Sequence, residues 1–296
     1  MRFRISPEAR PGWVRLTVSD LERSIRFYRL VLGMSVIGEK GEEVMLGTGG
    51  ETLVVLKEHP GASPKPRNAT GLYHFAVLLP SRRDLARAYL RILERWALDG
   101  ASDHLVSEAL YLSDPDGHGI EVYADRPRSL WRRLPTGELS MATLPLDLRS
   151  LLRELGDEAE VHGDDYRLPS GTRIGHVHLH VSRLERARAF YLDSLGMNLT
   201  FDWSSYGALF FAAGDYHHHV GANVWAGIDA PRPPKDSVQL VSYSLVMLDV
   251  ESLEAVVTHL RSVGHEVAED EEALEGHEGF VVRDQDGNKV ELVVRD

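Results

Sequence analysis

Residues 18–34 read VSDLERSIRFYRLVLGM and residues 181–197 read VSRLERARAFYLDSLGM, with ten of seventeen positions identical and no gap. A phrase written twice restricts the chain to a duplicated architecture, because each copy must bury the same face in the same way. The register continues upstream, where Gly12-Trp13-Val14-Arg15-Leu16 lies against Gly175-His176-Val177-His178-Leu179. Each copy has an alternating strand (WVRLTV, HVHLHV) that runs into a Ser placed as an N-cap or turn residue. An amphipathic helix follows and stops at Leu-Gly, with Gly33 and Gly196 suited to a left-handed C-terminal position. Strands come next, EEVMLGT with TLVVLK in one copy and GALFFAA with HHVGANVW in the other.

A weaker repeat sits inside each half. YHFAVLLPSRRDLARAYLRIL starts a strand-helix unit near residue 73, and SYSLVMLDVESLEAVVTHL starts its counterpart near residue 242. The two units close alike, as LYLSDPDGHGIEVY (110–123) and FVVRDQDGNKVELVV (280–294). In both, an Asp-x-Asp-Gly turn joins two strands, its Asp and Gly supplying side-chain hydrogen bonds and positive φ. The chain thus holds four strand-helix-strands modules. Residues 126–170 join the halves; LPLDLRSLLREL has the apolar spacing of a short helix, and acidic residues crowd the stretch after it.

Composition narrows the chemistry. The chain has no cysteine, which excludes disulfides, thiolate metal sites and a Cys nucleophile. A bound metal must use His, Asp or Glu, which points towards Fe(II), Mn(II), Zn(II), Ni(II) or Co(II). A net charge of -12 argues against a nucleic-acid partner, and the basic run Arg126 to Arg133 falls in the joint. No run of about 18 apolar residues predicts a membrane span. The N-terminal MRFRISPEARPGW lacks a signal-peptide apolar region, so a cytoplasmic location is the expectation.

A strand written G-H-V-x-L-x-V, then S-x-L-E-R-x-x-x-F-Y-x-x-x-L-G-M, and a closing D-x-D-G-x-x-x-E resemble the vicinal oxygen chelate superfamily. That group includes glyoxalases, bleomycin-resistance proteins and extradiol dioxygenases. The likeness spans nearly all of the chain outside the joint. The layout is most similar to two-domain catechol 2,3-dioxygenases, YHHHVGANVWAG (216–227) and SEALYLSDPDGHGIEVYADRP (107–127) being close in flavour to bacillus-type enzymes. It implies an α+β fold, in which four βαβββ modules pair into two U-shaped mixed-sheet domains. The expected boundaries are 1–125 for an N-terminal domain without metal, 126–170 for the linker, and 171–296 for a metal-binding domain.

The resemblance also implies where ligands stand, on the first and last strands of each module. In the second half these places hold His176, the run His217 to His219, Ser242 and Glu291. In the first half they hold Trp13, the apolar strand around Leu53 to Leu56, His74 and Glu121. His74 and Glu121 lack a third partner there unless a group such as His104 completes them. Strand alternation puts His176, His178 and His180 on one face, and it puts His217 and His219 inward with His218 outward. His219 stands just before the apolar alternation, as Glu291 does before Leu292. The expected metal ligands are therefore His176, His219 and Glu291, with the choice between His217 and His219 left open. His217 is the expected acid-base residue and His178 lines the substrate pocket.

Two imidazoles and a carboxylate on one face of a metal leave positions open for a catecholate and O2. The resemblance thus implies an extradiol ring-cleaving dioxygenase for a small aromatic diol, with Fe(II) or Mn(II) as metal and O2 as co-substrate. One departure stands out: the family often places a Tyr in the strand before the final turn, where GFVVRD has Phe280 and Val281. Two other readings stay open. One is a glyoxalase-like isomerase, lyase or thiol transferase, which commonly needs four protein ligands or a base at Ser242. The other is a non-catalytic aromatic- or antibiotic-binding protein using Trp203, Trp225, Phe210 and Phe211. Exposed sheet edges make a homo-oligomer an expectation.

Overall fold

The computed structural model describes residues 2–135, 137–156 and 166–295. The acidic stretch 157–165 lies outside the described residues. All four modules are present. The first comprises β1 (Arg10–Val18), α1 (Leu21–Leu30), β2 (Ser35–Lys40), β3 (Glu43–Thr48) and β4 (Glu51–Glu58). The second comprises β5 (Gly71–Leu78), α2 (Arg82–Arg95), β6 (Gly100–Asp103), β7 (Ser107–Ser113) and β8 (Gly119–Asp125). The joint contributes β9 (Leu144–Pro145) and the expected short helix, α3 (Leu148–Leu152), capped by the Asp147 side chain.

The third module has β10 (Arg173–His180), α4 (Leu184–Ala187), β11 (Asn198–Trp203), β12 (Ala208–Ala212) and β13 (Val220–Asn223). Its helix continues beyond α4 as a π-helix over Arg188–Ser194. The fourth has β14 (Leu240–Val246), α5 (Val250–Ser262), β15 (Ala268–Glu269), β16 (His277–Arg283) and β17 (Lys289–Arg295). Gly33 and Gly196 end their helices at φ +77° and +80°, in the left-handed region the repeat predicts.

The strands form two mixed sheets, in the orders β15-β16-β17-β14-β1-β4-β3-β2 and β11-β12-β13-β10-β5-β8-β7-β6-β9. Strand neighbours thus join the first module to the fourth and the second to the third, where the sequence reading pairs each module with its successor. The chain also divides into two compact units, one of residues 18–62 and 74–174, the other of residues 1–17, 63–73 and 175–296. These units lie close to the two halves of the sequence.

Side-chain latches explain why the units follow the chain order. In one unit Tyr28 of α1 donates to Asp114 at 3.0 Å, and Ser19 donates through its hydroxyl to Asp116 at 2.6 Å. In the other, Tyr191 donates to Asp284 at 2.8 Å and the Ser182 amide to Asp286 at 3.1 Å. The repeated F-Y and D-x-D-G phrases therefore fasten the helix of one module to the turn of the next. Within each turn the first Asp accepts two backbone amides at 2.9 Å. The repeated Ser serves this latch rather than a helix cap; α1 is capped by Asp20, which accepts from the Arg23 amide. Burial raises the pKa of Tyr28 and Tyr191, so each phenol keeps its proton and donates in its latch.

Candidate metal centre

His74 is the fourth residue of β5, and Glu121 is the third of β8, which runs parallel beside it. The register opposes Glu121 to Ala76, two residues beyond His74, so both side chains leave the same face. His74 Nε2 and Glu121 Oε2 stand 3.1 Å apart, both buried. His176 on β10 completes a group with them: one ligand atom from each of His74, Glu121 and His176 lies within 4.8 Å of the others. Metal–ligand bonds of about 2.0–2.2 Å at right angles place neighbouring donors roughly 3 Å apart, so the His74–Glu121 spacing suits two ligands of one ion. Two imidazoles and a carboxylate fit a mononuclear divalent metal.

This group differs from the expected one. His176 is in it; His219 and Glu291 are not among the residues that gather. Glu291 lies on β17, where it accepts from Trp13 Nε1 at 2.9 Å, from Arg15 Nε at 3.2 Å and from the Ser242 hydroxyl. Trp13 takes the place in the first module that His176 takes in the third, and Ser242 takes that of His74. A guanidinium thus supplies the positive charge beside Glu291. Two of the three candidate donors lie in the half expected to lack a metal.

The histidine run also departs from strand alternation. His217, His218 and His219 precede β13, which begins at Val220, so the period of two does not govern them. His218, expected to point away, packs against His176 with ring centroids 4.0 Å apart, while His217 stands at 6.2 Å. The Nδ1 atoms of His217 and His218 share a 2.7 Å hydrogen bond. His219 accepts from the Ala213 amide at 3.2 Å and stacks on Tyr216 at 4.9 Å.

His178 is opposed to Gly221 across β10 and β13, where a Cβ would stand 2.8 Å from the imidazole. By the register of β5 and β8, this glycine takes the place in the third module that Glu121 takes in the second. The third module therefore adds His176 alone, with no carboxylate counterpart to Glu121.

The sequence reading missed Tyr111. It lies on β7, opposed to Glu121 on β8 and so on the same face, with its ring 5.8 Å from that of His74. Its signal was present, a Tyr in the strand before a D-x-D-G turn, in the second module rather than the fourth. His104 is no ligand but the partner of this phenol: Tyr111 Oη and His104 Nε2 are 2.7 Å apart, and His104 Nδ1 lies 2.8 Å from the Ala142 carbonyl. That carbonyl can only accept, so Nδ1 carries a proton, and with a single proton on the ring Nε2 accepts from Tyr111.

The family model described as Glyoxalase/Bleomycin resistance protein/Dioxygenase superfamily matches residues 10–122 and 173–292. The chain is 44% identical over 265 residues to the catechol-2,3-dioxygenase of Bacillus subtilis (strain 168), covering 89% of this chain and 91% of that protein. Among solved structures, a putative dioxygenase from Bacillus subtilis matches with a TM-score of 0.68 at 11% identity, over 100% of this chain and 86% of that one. Glyoxalase I from Zea mays matches with a TM-score of 0.58 at 21% identity, over 97% and 92%. These two likenesses describe the fold.

Proposed function

The chain belongs to the glyoxalase/bleomycin resistance protein/dioxygenase superfamily, and on that premise we propose that it is an extradiol ring-cleaving dioxygenase for a catechol-like diol. The observation that carries this reading is the gathering of His74, Glu121 and His176 within 4.8 Å. We assign these three as the ligands of Fe(II), with Mn(II) as its replacement. When bound, the metal lowers the pKa of the substrate hydroxyls and brings the diol together with O2.

The residues around the ligands supply the proton chemistry. Tyr111 is hydrogen-bonded to Nε2 of His104, so that as its oxygen takes up a substrate hydroxyl proton its own proton passes on to that imidazole. The Ala142 carbonyl holds the His104 ring in the tautomer that this requires. His218, against His176, takes the acid-base role that the sequence reading gave to His217. His217 holds its partner's ring through the Nδ1 pair. His178 remains the pocket-lining residue. A glyoxalase-type reaction is disfavoured because Gly221 leaves the third module without a second donor, and three ligands leave room for both diol and O2.

The test is direct. Protein reconstituted with Fe(II) should turn catechol yellow under air and leave it colourless under nitrogen. An oxygen-independent conversion, or no conversion by the metal-loaded protein, overturns the reading.

A further inference from the structure

The polar face of β10 carries a row of histidines, and the outer end of that row is aromatic. His176 contacts His218 at 4.0 Å, His218 contacts Phe210 at 5.0 Å, and Phe210 contacts His178 at 5.5 Å. Beyond His178 stand Tyr73, perpendicular to its ring at 5.3 Å, and Trp225 at 5.6 Å. Tyr73 and Trp225 meet each other at 87° and 5.4 Å. Both are large aromatics left open, 40% and 47% exposed. A continuous aromatic wall thus runs from a metal ligand to the surface.

The outer rings are held rigidly. Trp225 donates from Nε1 to the Tyr206 carbonyl at 2.8 Å, and its own amide donates to Asn223 Oδ1 at 3.0 Å. The same Asn223 oxygen pairs with His180 Nδ1 at 2.7 Å, which fixes that imidazole against Tyr73 at 4.8 Å. His178 can lie across β13 only because residue 221 is glycine. Exposed aromatic faces set in place by hydrogen bonds and ring contacts have lost part of their freedom in advance, so a ligand ring that stacks on them orders little.

We infer that Tyr73 and Trp225, floored by His178, form a subsite for an aryl substituent, so that the preferred substrates are aryl-substituted diols. The inference rests on the dioxygenase reading and deepens it. Two residues of strand separate His176 from His178, roughly 7 Å, which is the span of one further aromatic ring beyond a diol held at the ligands. Two perpendicular walls accept a planar substituent in face-on and edge-on contact at once. A bare catechol does not reach them.

The experiment compares catechol with 4-phenylcatechol. With the Fe(II)-loaded enzyme under air, the wild type should show the higher kcat/KM for phenylcatechol. The ratio of the two values should fall several-fold in Trp225→Ala and in Tyr73→Ala, in line with about 0.5–1.5 kcal/mol per aromatic pair. Trp225→Phe should restore most of it. Equal losses on both substrates, or a wild type without preference, overturn the inference. Calorimetric titration under nitrogen provides a second readout that needs no turnover. If no diol is cleaved, the dioxygenase reading fails alone: tighter phenylcatechol binding in wild type than in Trp225→Ala still upholds the subsite, and equal binding removes it.

Discussion

Arg15 donates from Nε to Glu291 Oε1 at 3.2 Å, with both side chains wholly buried. Glu291 stands seven residues after the first Asp of its turn, as Glu121 does after its own. The same place in two repeats therefore holds a candidate metal ligand in one and half of an ion pair in the other. Trp13 and Ser242 complete the neutralised version by donating to the same carboxylate. Such a pair is worth little against a well-packed apolar replacement, but breaking it on one side strands a charge in the interior.

Arg15→Ala is accordingly expected to destabilise the protein by about 3–5 kcal/mol, read from urea denaturation midpoints. Metal content should stay at the wild-type level in the fraction that folds. Loss of metal in that variant would place Glu291 back among the ligands.

Metal analysis separates the two candidate ligand sets. His74→Ala, Glu121→Ala and His176→Ala should each copurify with little metal after Fe(II) reconstitution, since two donors seldom make a lasting site. His219→Ala should keep its metal, because His219 is engaged with the Ala213 amide and Tyr216. A metal-free His219→Ala beside a loaded His74→Ala would reverse the assignment.

The tyrosine latches should carry stability without touching chemistry at the metal. Tyr191→Phe removes a buried donor from Asp284, and a hydrogen bond to a charged group contributes about 1.5–3 kcal/mol. A drop of that order in unfolding free energy is expected, with Tyr28→Phe behaving alike at Asp114. Unchanged stability in both variants would show the repeated F-Y phrase to be packing alone.

Lys65 provides a pH test. Its ammonium donates to the Ala69 carbonyl at 3.0 Å, and burial pushes its pKa down to about 8. The unfolded chain, near the ordinary 10.5, holds that proton more tightly, so this residue makes stability rise with pH between about 8 and 10.5. Lys65→Met should flatten that rise, so that any advantage it shows over wild type at pH 7 shrinks at pH 10. Parallel urea midpoints for the two proteins across this window would contradict the assignment.

Much of this was written in the linear chain. Internal repetition determined the four modules, since alternating strands and capped amphipathic helices depend on neighbours a few residues apart. The turn Asp and Gly positions were legible for the same reason, as was the short helix of the joint. Local grammar also marked His74, Glu121 and His176 as matched strand positions on predictable faces. Alternation misplaces His218 because its backbone has not yet entered the strand, and the tyrosine before the turn stands in the second module, as Tyr111, rather than in the fourth.

Tertiary structure alone decided which matched positions meet. Two near-identical modules present equivalent strand edges, and no local rule distinguishes a successor from a more distant copy as sheet neighbour. Strand order settles that through long-range pairing, and the choice sends Glu291 to a guanidinium while Glu121 joins two imidazoles. Ligand types are a property of the residues themselves, whereas a coordination sphere is a property of distances across the fold.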